Sequence, residues 1–219
     1  MELLILRLEA PLMKWGLRSH WNDRDTHIVP TKSAVAGLIA CAMGIPRGDG
    51  KIEELCQKIN IGVRADRKGY ILTDLQIVSA NSNPYIKKLN DSSYKPKTGD
   101  GGLLTRRDYL QDACFTVVIS GNTNLLQSIK EALLCPVFCV YLGAKCCIPS
   151  RPVFEDLTAK YESIEDALNR YPLPPRCSGK KLYCEIENEK GLHMRQDVVK
   201  TNEMREYGFR RVDIKYVGG

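Results

Sequence analysis

Histidine is scarce: the 219 residues hold three, His20, His27 and His193. General acid–base cleavage of RNA commonly uses histidine, although lysine and tyrosine can serve, so the scarcity weighs against a hydrolase built on imidazole. Long apolar runs are missing too. No stretch approaches the roughly 20 residues that a membrane-spanning helix needs. The opening Met1-Glu2-Leu3-Leu4-Ile5-Leu6-Arg7 carries an acid where a signal peptide carries basic residues. It reads as a first strand, which makes the cytoplasm the expected compartment and a membrane partner unexpected. P-loop, Ser-His-Asp setting and internal repeat are all lacking.

Cysteine is plentiful, but a disulfide pattern is not. An odd count of nine, at 41, 56, 114, 135, 139, 146, 147, 177 and 184, argues against a disulfide framework in a chain read as cytosolic. Cys135, Cys139 and the adjacent Cys146-Cys147 can be read as a metal knot. Their spacing lacks the regularity of a zinc site, and adjacent cysteines rarely both ligate one tetrahedral ion. Cys114 and Cys139 fall in apolar, strand-like runs, so buried inert thiols are the preferred reading. Asp23, Asp25 and His27 alternate in one loop without further ligands. No metal and no cofactor is expected.

The chain does carry positive charge, with a net +6 and a pI near 8.8. Such a balance favours anionic partners. Its most informative stretch runs from Pro30-Thr31-Lys32-Ser33 to Met43-Gly44-Ile45. Thr31 is a good N-cap, small and apolar residues fill a helix over 31–43, and Gly44 closes it. A cation in the first turn opposes the helix dipole. Lys32 and Ser33 at a free helix start therefore read as a phosphate seat.

Residues 3–8 form an apolar strand, and 51–59 repeat apolar positions at helical spacing. A strand at 61–66 turns at Arg67-Lys68-Gly69 into a hairpin partner at 70–78. Residues 114–120 are strongly β-prone, 124–134 form a second amphipathic helix, and 137–142 read as a final strand. The order is β-α-β-β, an interruption, then β-α-β. It fits an α+β fold with an RNA-recognition or ferredoxin-like core. Helix 164–171, the stiff Pro172-Leu173-Pro174-Pro175 and strands at 182–187 and 212–217 suggest a small C-terminal β-rich region. The expected division is 1–155 and 156–219.

The interruption, 79–111, exceeds an ordinary loop. It holds Lys87, Lys88, Lys95, Lys97, Arg106 and Arg107, with Tyr85, Tyr94 and Tyr109 among them and Gly99-Asp100-Gly101-Gly102 at its tip. Cations interleaved with aromatics suit phosphate contact and base stacking; a solvated excursion is the bland alternative. At Tyr141-Leu142-Gly143-Ala144-Lys145, glycine permits close approach and Lys145 follows, with Arg151 nearby. Trp15, beside Gly16, can stack a base, but core packing is preferred. His20 and His27 share a loop and form the one conceivable catalytic pair. Tyr207-Gly208-Phe209-Arg210-Arg211 echoes an RNA-binding signature without its aromatic tail and carries no weight.

Together these pieces resemble a known family. Leu6-Arg7-Leu8-Glu9-Ala10-Pro11-Leu12, Trp15-Gly16, Pro30-Thr31-Lys32-Ser33 with Gly37-Leu38, and Met43-Gly44-Ile45 are similar to the CasD subunits of type I-E CRISPR Cascade. So are Val63-Arg64-Ala65-Asp66, Arg107-Asp108-Tyr109-Leu110 with Asp112-Ala113-Cys114-Phe115, and Tyr141-Leu142-Gly143 with Pro149. The likeness covers residues 1 to about 155 in order. It implies an RNA-recognition-type core with a long β-hairpin thumb at 79–111. It further implies a non-catalytic subunit that caps the 5′ handle of CRISPR RNA in antiviral defence. The implied partners are the backbone subunit CasC and the large subunit CasA, with target DNA reached through the complex. The related type I-C branch cuts precursor RNA with Tyr, Lys and His. That makes a metal-independent endoribonuclease the rival reading, disfavoured by the thumb's lack of histidine. Where the family commonly has a second basic residue after the Gly143 turn, this chain has Ala144. The expected RNA contacts are Lys32, Ser33, Arg106, Arg107, Tyr109 and Lys145, with Arg24 and Arg64 as further candidates; no catalytic residue is expected.

Overall fold

A computed structural model describes residues 1–17, 22–78, 103–177, 181–201 and 206–218. Residues 79–102 of the expected thumb lie outside that set, with Lys87, Lys88, Lys95, Lys97, Tyr85 and Tyr94, and so does His20. Among the described residues the strands are β1 (Leu3–Met13), β2 (Asp23–Arg24), β3 (Asn60–Arg67), β4 (Tyr70–Val78), β5 (Leu103–Ser120), β6 (Phe154–Thr158), β7 (Leu182–Glu187), β8 (His193–Thr201) and β9 (Glu206–Val217). The helices are α1 (Lys32–Ala42), α2 (Lys51–Lys58), α3 (Thr123–Leu134) and α4 (Ile164–Arg170).

One large sheet runs β6-β1-β5-β3-β7-β9-β8 with every neighbouring pair antiparallel. Strand alternation decides its two faces. Leu4, Leu6 and Leu8 of β1 join Val117 and Phe115 of β5 in the main core, which α1, α2 and α3 cover. Leu3 and Val118 face the other way, into a smaller cluster under Ile164, Ala167 and Leu168 of α4. Gly62 makes that second packing possible, because a Cβ there would collide with Ile164 of α4. Trp15 is enclosed and meets Phe115 edge-on at 6.5 Å, so it is core, as its sequence setting favours.

The α4 face also holds charge. Arg7 pairs across the ladder with Thr116, and Thr116 with Arg64. Asp66 sits between the two arginines, 2.8 Å from Arg7 Nη1 and 2.6 Å from Arg64 Nε. Arg64 also donates to the Tyr171 carbonyl at 2.9 Å, satisfying an acceptor just beyond α4.

Two strand expectations are corrected. The segment 70–78 is not the hairpin partner of 61–66. Both β3 and β4 pair with β5, Asn60 opposite Ser120 and Val78 opposite Leu103, so they are successive lengths of one arm along the 18-residue β5. Lys68-Gly69 bends the arm instead of reversing it. Gly69, at φ +71°, lies against the Gln111 carbonyl, and Asp112 opposite also has positive φ. Residues 137–142 are not a strand. Val137 N–H is held by the Ala42 carbonyl at 2.9 Å and Leu142 N–H by Cys147 at 2.7 Å, leaving no ladder to join. Cys139 there is exposed, whereas Cys114 in β5 is fully buried. The strand beside β1 is β6, which begins after Pro149 and Pro152.

Candidate nucleic-acid interface

Four distant pieces of chain meet at the end of β1. Lys14 follows that strand directly. Its N–H donates to the Leu142 carbonyl at 3.0 Å. Gly143, at φ +87°, presses its α-carbon against the Lys14 backbone, so closely that any side chain would overlap the Lys14 carbonyl. The close approach expected of this glycine is therefore toward the protein's own chain. It fixes the turn that carries Lys145, which is exposed, and Cys146. Cys146 Sγ reaches the Tyr109 hydroxyl at 3.8 Å, joining the turn to β5.

Strand β2 brings the third piece. It runs parallel to β5, with Asp23 opposite Arg106 and Arg24 opposite Arg107. Arg106 N–H donates to the Asn22 carbonyl at 2.8 Å. Behind β2, Thr26 Oγ1 accepts the Trp15 N–H at 2.9 Å, and Asp25 accepts that of Leu17 at 3.1 Å. His27 is part of the same loop. Its Nδ1 lies 3.1 Å from the Val29 carbonyl, an architectural contact.

Lys14 stands at the centre. Nζ donates to the carbonyls of Arg24 at 2.9 Å and Asp108 at 3.2 Å, and lies 5.0 Å from the Tyr109 ring centroid. Its pKa is lowered, first by burial and then by the charges of Arg24 and Arg107. Like charges gathered this closely destabilise one another and favour an anion. Burial pushes the Tyr109 hydroxyl up, and Arg107 opposes that shift by hydrogen bond and charge. Arg107 Nε is enclosed without a hydrogen-bond partner. Arg106, next to it on an extended strand, projects from the opposite face. Its side chain is about half exposed, and Asp108 lies 3.4 Å away.

Arg24, Arg107 and Tyr109 thus converge on Lys14, with Arg106 at the rim and Lys145 exposed on the adjoining turn. Lys14 is the residue that the sequence argument missed. Its signal was its place beside Trp15-Gly16, but nothing local announces that the Gly143 turn folds onto it.

Lys32, Ser33 and Arg64 lie elsewhere, and here the expectation of a free phosphate seat is corrected. Thr31 caps α1 as expected, accepting the Ala34 N–H at 3.3 Å, but the anion at the helix start is the chain's own. Asp197 of β8 accepts the Lys32 N–H at 2.7 Å, and Lys32 Nζ is 2.6 Å from Glu187. Arg210 grips Asp197 through Nε at 2.7 Å and Nη2 at 2.9 Å. Lys32 is 3% exposed and Arg64 1%, so neither presents its charge at the surface. Ser33 is half-buried beside Thr31. All nine cysteines are free thiols. Burial pushes Cys147, next to the site, up to about 12, with Cys146 adding to the shift. Among the described residues no cluster of three His, Cys, Asp or Glu could hold a metal, and no helix is long and apolar enough to cross a membrane.

The family described as CRISPR-associated protein (Cas_Cas5) matches residues 3–213. The CRISPR system Cascade subunit CasD of Escherichia coli (strain K12) is 29% identical over 197 residues, covering 88% of this chain and 84% of that one. Among solved structures, a crystal structure of a Cas protein superposes with a TM-score of 0.73 at 30% identity, over 99% of this chain and 95% of the other. A chain of a CRISPR RNA-guided surveillance complex gives 0.78 at 25% identity, over 99% and 91%.

Proposed function

The chain belongs to the Cas5 family of CRISPR-associated proteins, and from that premise we propose that it is the Cascade-type subunit that caps the 5′ handle of CRISPR RNA without cutting it. The observation that carries this reading is the convergence of Lys14, Arg24 and Arg107 around Tyr109, with Lys145 exposed on the adjoining turn and the enclosed Arg107 Nε lacking a hydrogen-bond partner. Single-stranded RNA is gripped by cations on its phosphates and by aromatic or guanidinium planes on its splayed bases. Arg106 extends the grip on the other face of β5.

The fold reading belongs to the same proposal. The order β6-β1-β5-β3, with α1 and α2 between β1 and β3 and α3 between β5 and β6, supports a ferredoxin-like core. The β4–β5 arms support a thumb that begins in that core and reaches into the RNA. The expected boundary at 155 falls inside β6 (Phe154–Thr158), so in this proposal the RNA-binding part takes in the whole of β6 and the C-terminal part follows it. The partners in this reading are CRISPR RNA, a backbone subunit of the CasC kind and a large subunit of the CasA kind, in the cytoplasm.

Filter binding of a handle-containing repeat RNA to the full chain tests the assignment. Arg107→Ala with Lys145→Ala is expected to weaken binding at least tenfold and to lower the log–log salt slope by about 1.4, the value for two single-strand phosphate contacts. Unchanged affinity and slope would sink it. Specific metal-independent cleavage of the repeat by the purified chain would instead overturn the non-catalytic part.

A further inference from the structure

A second concentration of positive charge lies away from the handle interface. A cavity of about 360 Å³ opens where β3 ends and β7 begins, lined by Arg67, Lys68, Arg176 and Lys181 together with Ala65, Asp66, Cys177 and Leu182. It shares no residue with the Lys14–Arg107 cluster. Asp66, its one carboxylate, is 3% exposed and held by Arg7, Arg64 and Thr116, so it offers no counter-charge to the opening. Arg67 is divided between Glu9 at 3.4 Å and Asp112 at 2.9 Å. Lys68, Arg176 and Lys181 are exposed and make no ion pair with any described residue.

The surroundings position Arg176 and Lys68. Cys177 N–H closes a turn onto the Pro174 carbonyl at 2.9 Å, and Arg176 sits within that turn. The proline run is thereby a rigid mount, more than a linker. Lys68 Nζ lies 5.9 Å from the centroid of Tyr216, whose ring is largely exposed. Tyr183, buried beneath, meets Tyr216 edge-on at 5.9 Å and fixes its angle.

We infer that this cavity is a phosphate-binding site for the backbone of a single-stranded nucleic acid, with Lys68, Arg176 and Lys181 contacting phosphate and Tyr216 offering a stacking face. Cations around an open cavity next to an exposed aromatic ring match a strand, which presents phosphates and base faces in alternation. A small enclosed anion calls instead for donors converging on one point. The site does not depend on the handle assignment, since its cations and its aromatic ring are separate.

The test uses the full chain and a fluorescein-labelled 15-nucleotide oligothymidylate, which carries no handle sequence. Anisotropy is followed across a sodium chloride series. Arg176→Ala with Lys181→Ala is expected to weaken binding about tenfold and lower the log–log salt slope by about 1.4. Arg176→Lys with Lys181→Arg should keep the affinity within about twofold. Lys160→Ala, an exposed cation that belongs to neither cluster, should leave it unchanged. Lys68→Met with Lys181→Met provides a second loss variant. Oligothymidylate binding that responds to neither loss variant would overturn the site. Inorganic phosphate, measured by calorimetry, separates the sources. If the loss variants abolish phosphate binding while strand affinity stays put, the cavity takes a free anion and the strand assignment falls.

Discussion

Asp197→Ala removes the anion that α1 was built around, and its cost can be worked from the contacts. The carboxylate is 2% exposed and accepts three hydrogen bonds, one from the Lys32 N–H at 2.7 Å and two from Arg210 at 2.7 and 2.9 Å. Without it Arg210 stays buried with weaker contacts, Glu185 at 3.5 Å and Glu187 at 3.8 Å. Deleting one partner of a buried ion pair costs about 3–5 kcal/mol. Loss of a carboxylate at a helix N-terminus adds about 0.3–1 kcal/mol. At 2–4 °C per kcal/mol for a chain of this size, the melting midpoint should fall by about 7–24 °C. Circular dichroism melts at fixed pH and salt measure it. Asp197→Asn, which keeps an acceptor and loses the charge, should fall in between. Handle-RNA affinity per folded molecule should not change. The same reasoning makes Lys32→Met a stability variant, because it takes from Glu187 its 2.6 Å ion-pair partner. An Asp197→Ala midpoint within 2 °C of wild type would refute this account. So would a Lys32→Met chain of full stability that binds handle RNA weakly.

Gly143→Ala should destabilise the fold by about 2 kcal/mol or more, because it adds positive-φ strain to a collision with the Lys14 carbonyl; denaturant titration measures the loss, and handle affinity should drop with it as the Lys145 turn is displaced. Lys14 should make both stability and binding depend on alkaline pH. Its pKa is lowered below 10.5 in the folded chain, so the unfolded state binds the proton more tightly, and stability rises as pH climbs from the lowered value toward 10.5. A bound phosphate favours the ammonium, so handle affinity should fall across the same window. Lys14→Met should flatten both profiles, and a wild-type affinity that stays level there would count against Lys14 as a contact.

Much of the secondary structure is legible from residue pattern alone. Residues 70–78 and 182–187 form strands with the expected bounds, and α1, α2, α3 and α4 each lie within a residue of theirs, because capping residues and apolar spacing are local signals. Partner choice is not local. The turn at Arg67-Lys68-Gly69 has hairpin composition, yet β5 is long enough to pair with both flanking segments, and only the 18-residue ladder reveals this. Residues 137–142 have the apolar content of a strand, but their backbone groups are taken by α1 and by the Gly143 turn. The site divides along the same line. Arg107 and Tyr109 are readable as a cation and an aromatic of the long basic interruption, and Lys145 as a cation beside a glycine turn. Lys32 has the same residue-level signature as a phosphate contact, and its Asp197 partner lies 165 residues away.

The internal anion also explains how the C-terminal strands keep their register. Along β9, Gly208, Arg210 and Val212 face inward, while Phe209 and Arg211 face out. A slip of one residue exchanges the two sets, and an apolar pattern alone would resist it weakly here, since Phe209 could enter the core as readily as Val212 leaves it. Arg210 removes that freedom. Inward, it meets Asp197, Glu185 and Glu187; a slip that puts Phe209 in its place leaves three carboxylates around Lys32 and Arg195 short of a cation, and one that puts Arg211 there carries Asp213 into the buried place of Val212. Buried ion pairs contribute modest net stability against apolar packing of the same shape, but they penalise wrong pairings heavily. Because the network ends on the first turn of α1, the cost of misregister reaches the helix that covers the main core. The charge that looks like a nucleic-acid contact in the sequence thus specifies how β8 and β9 are held against α1.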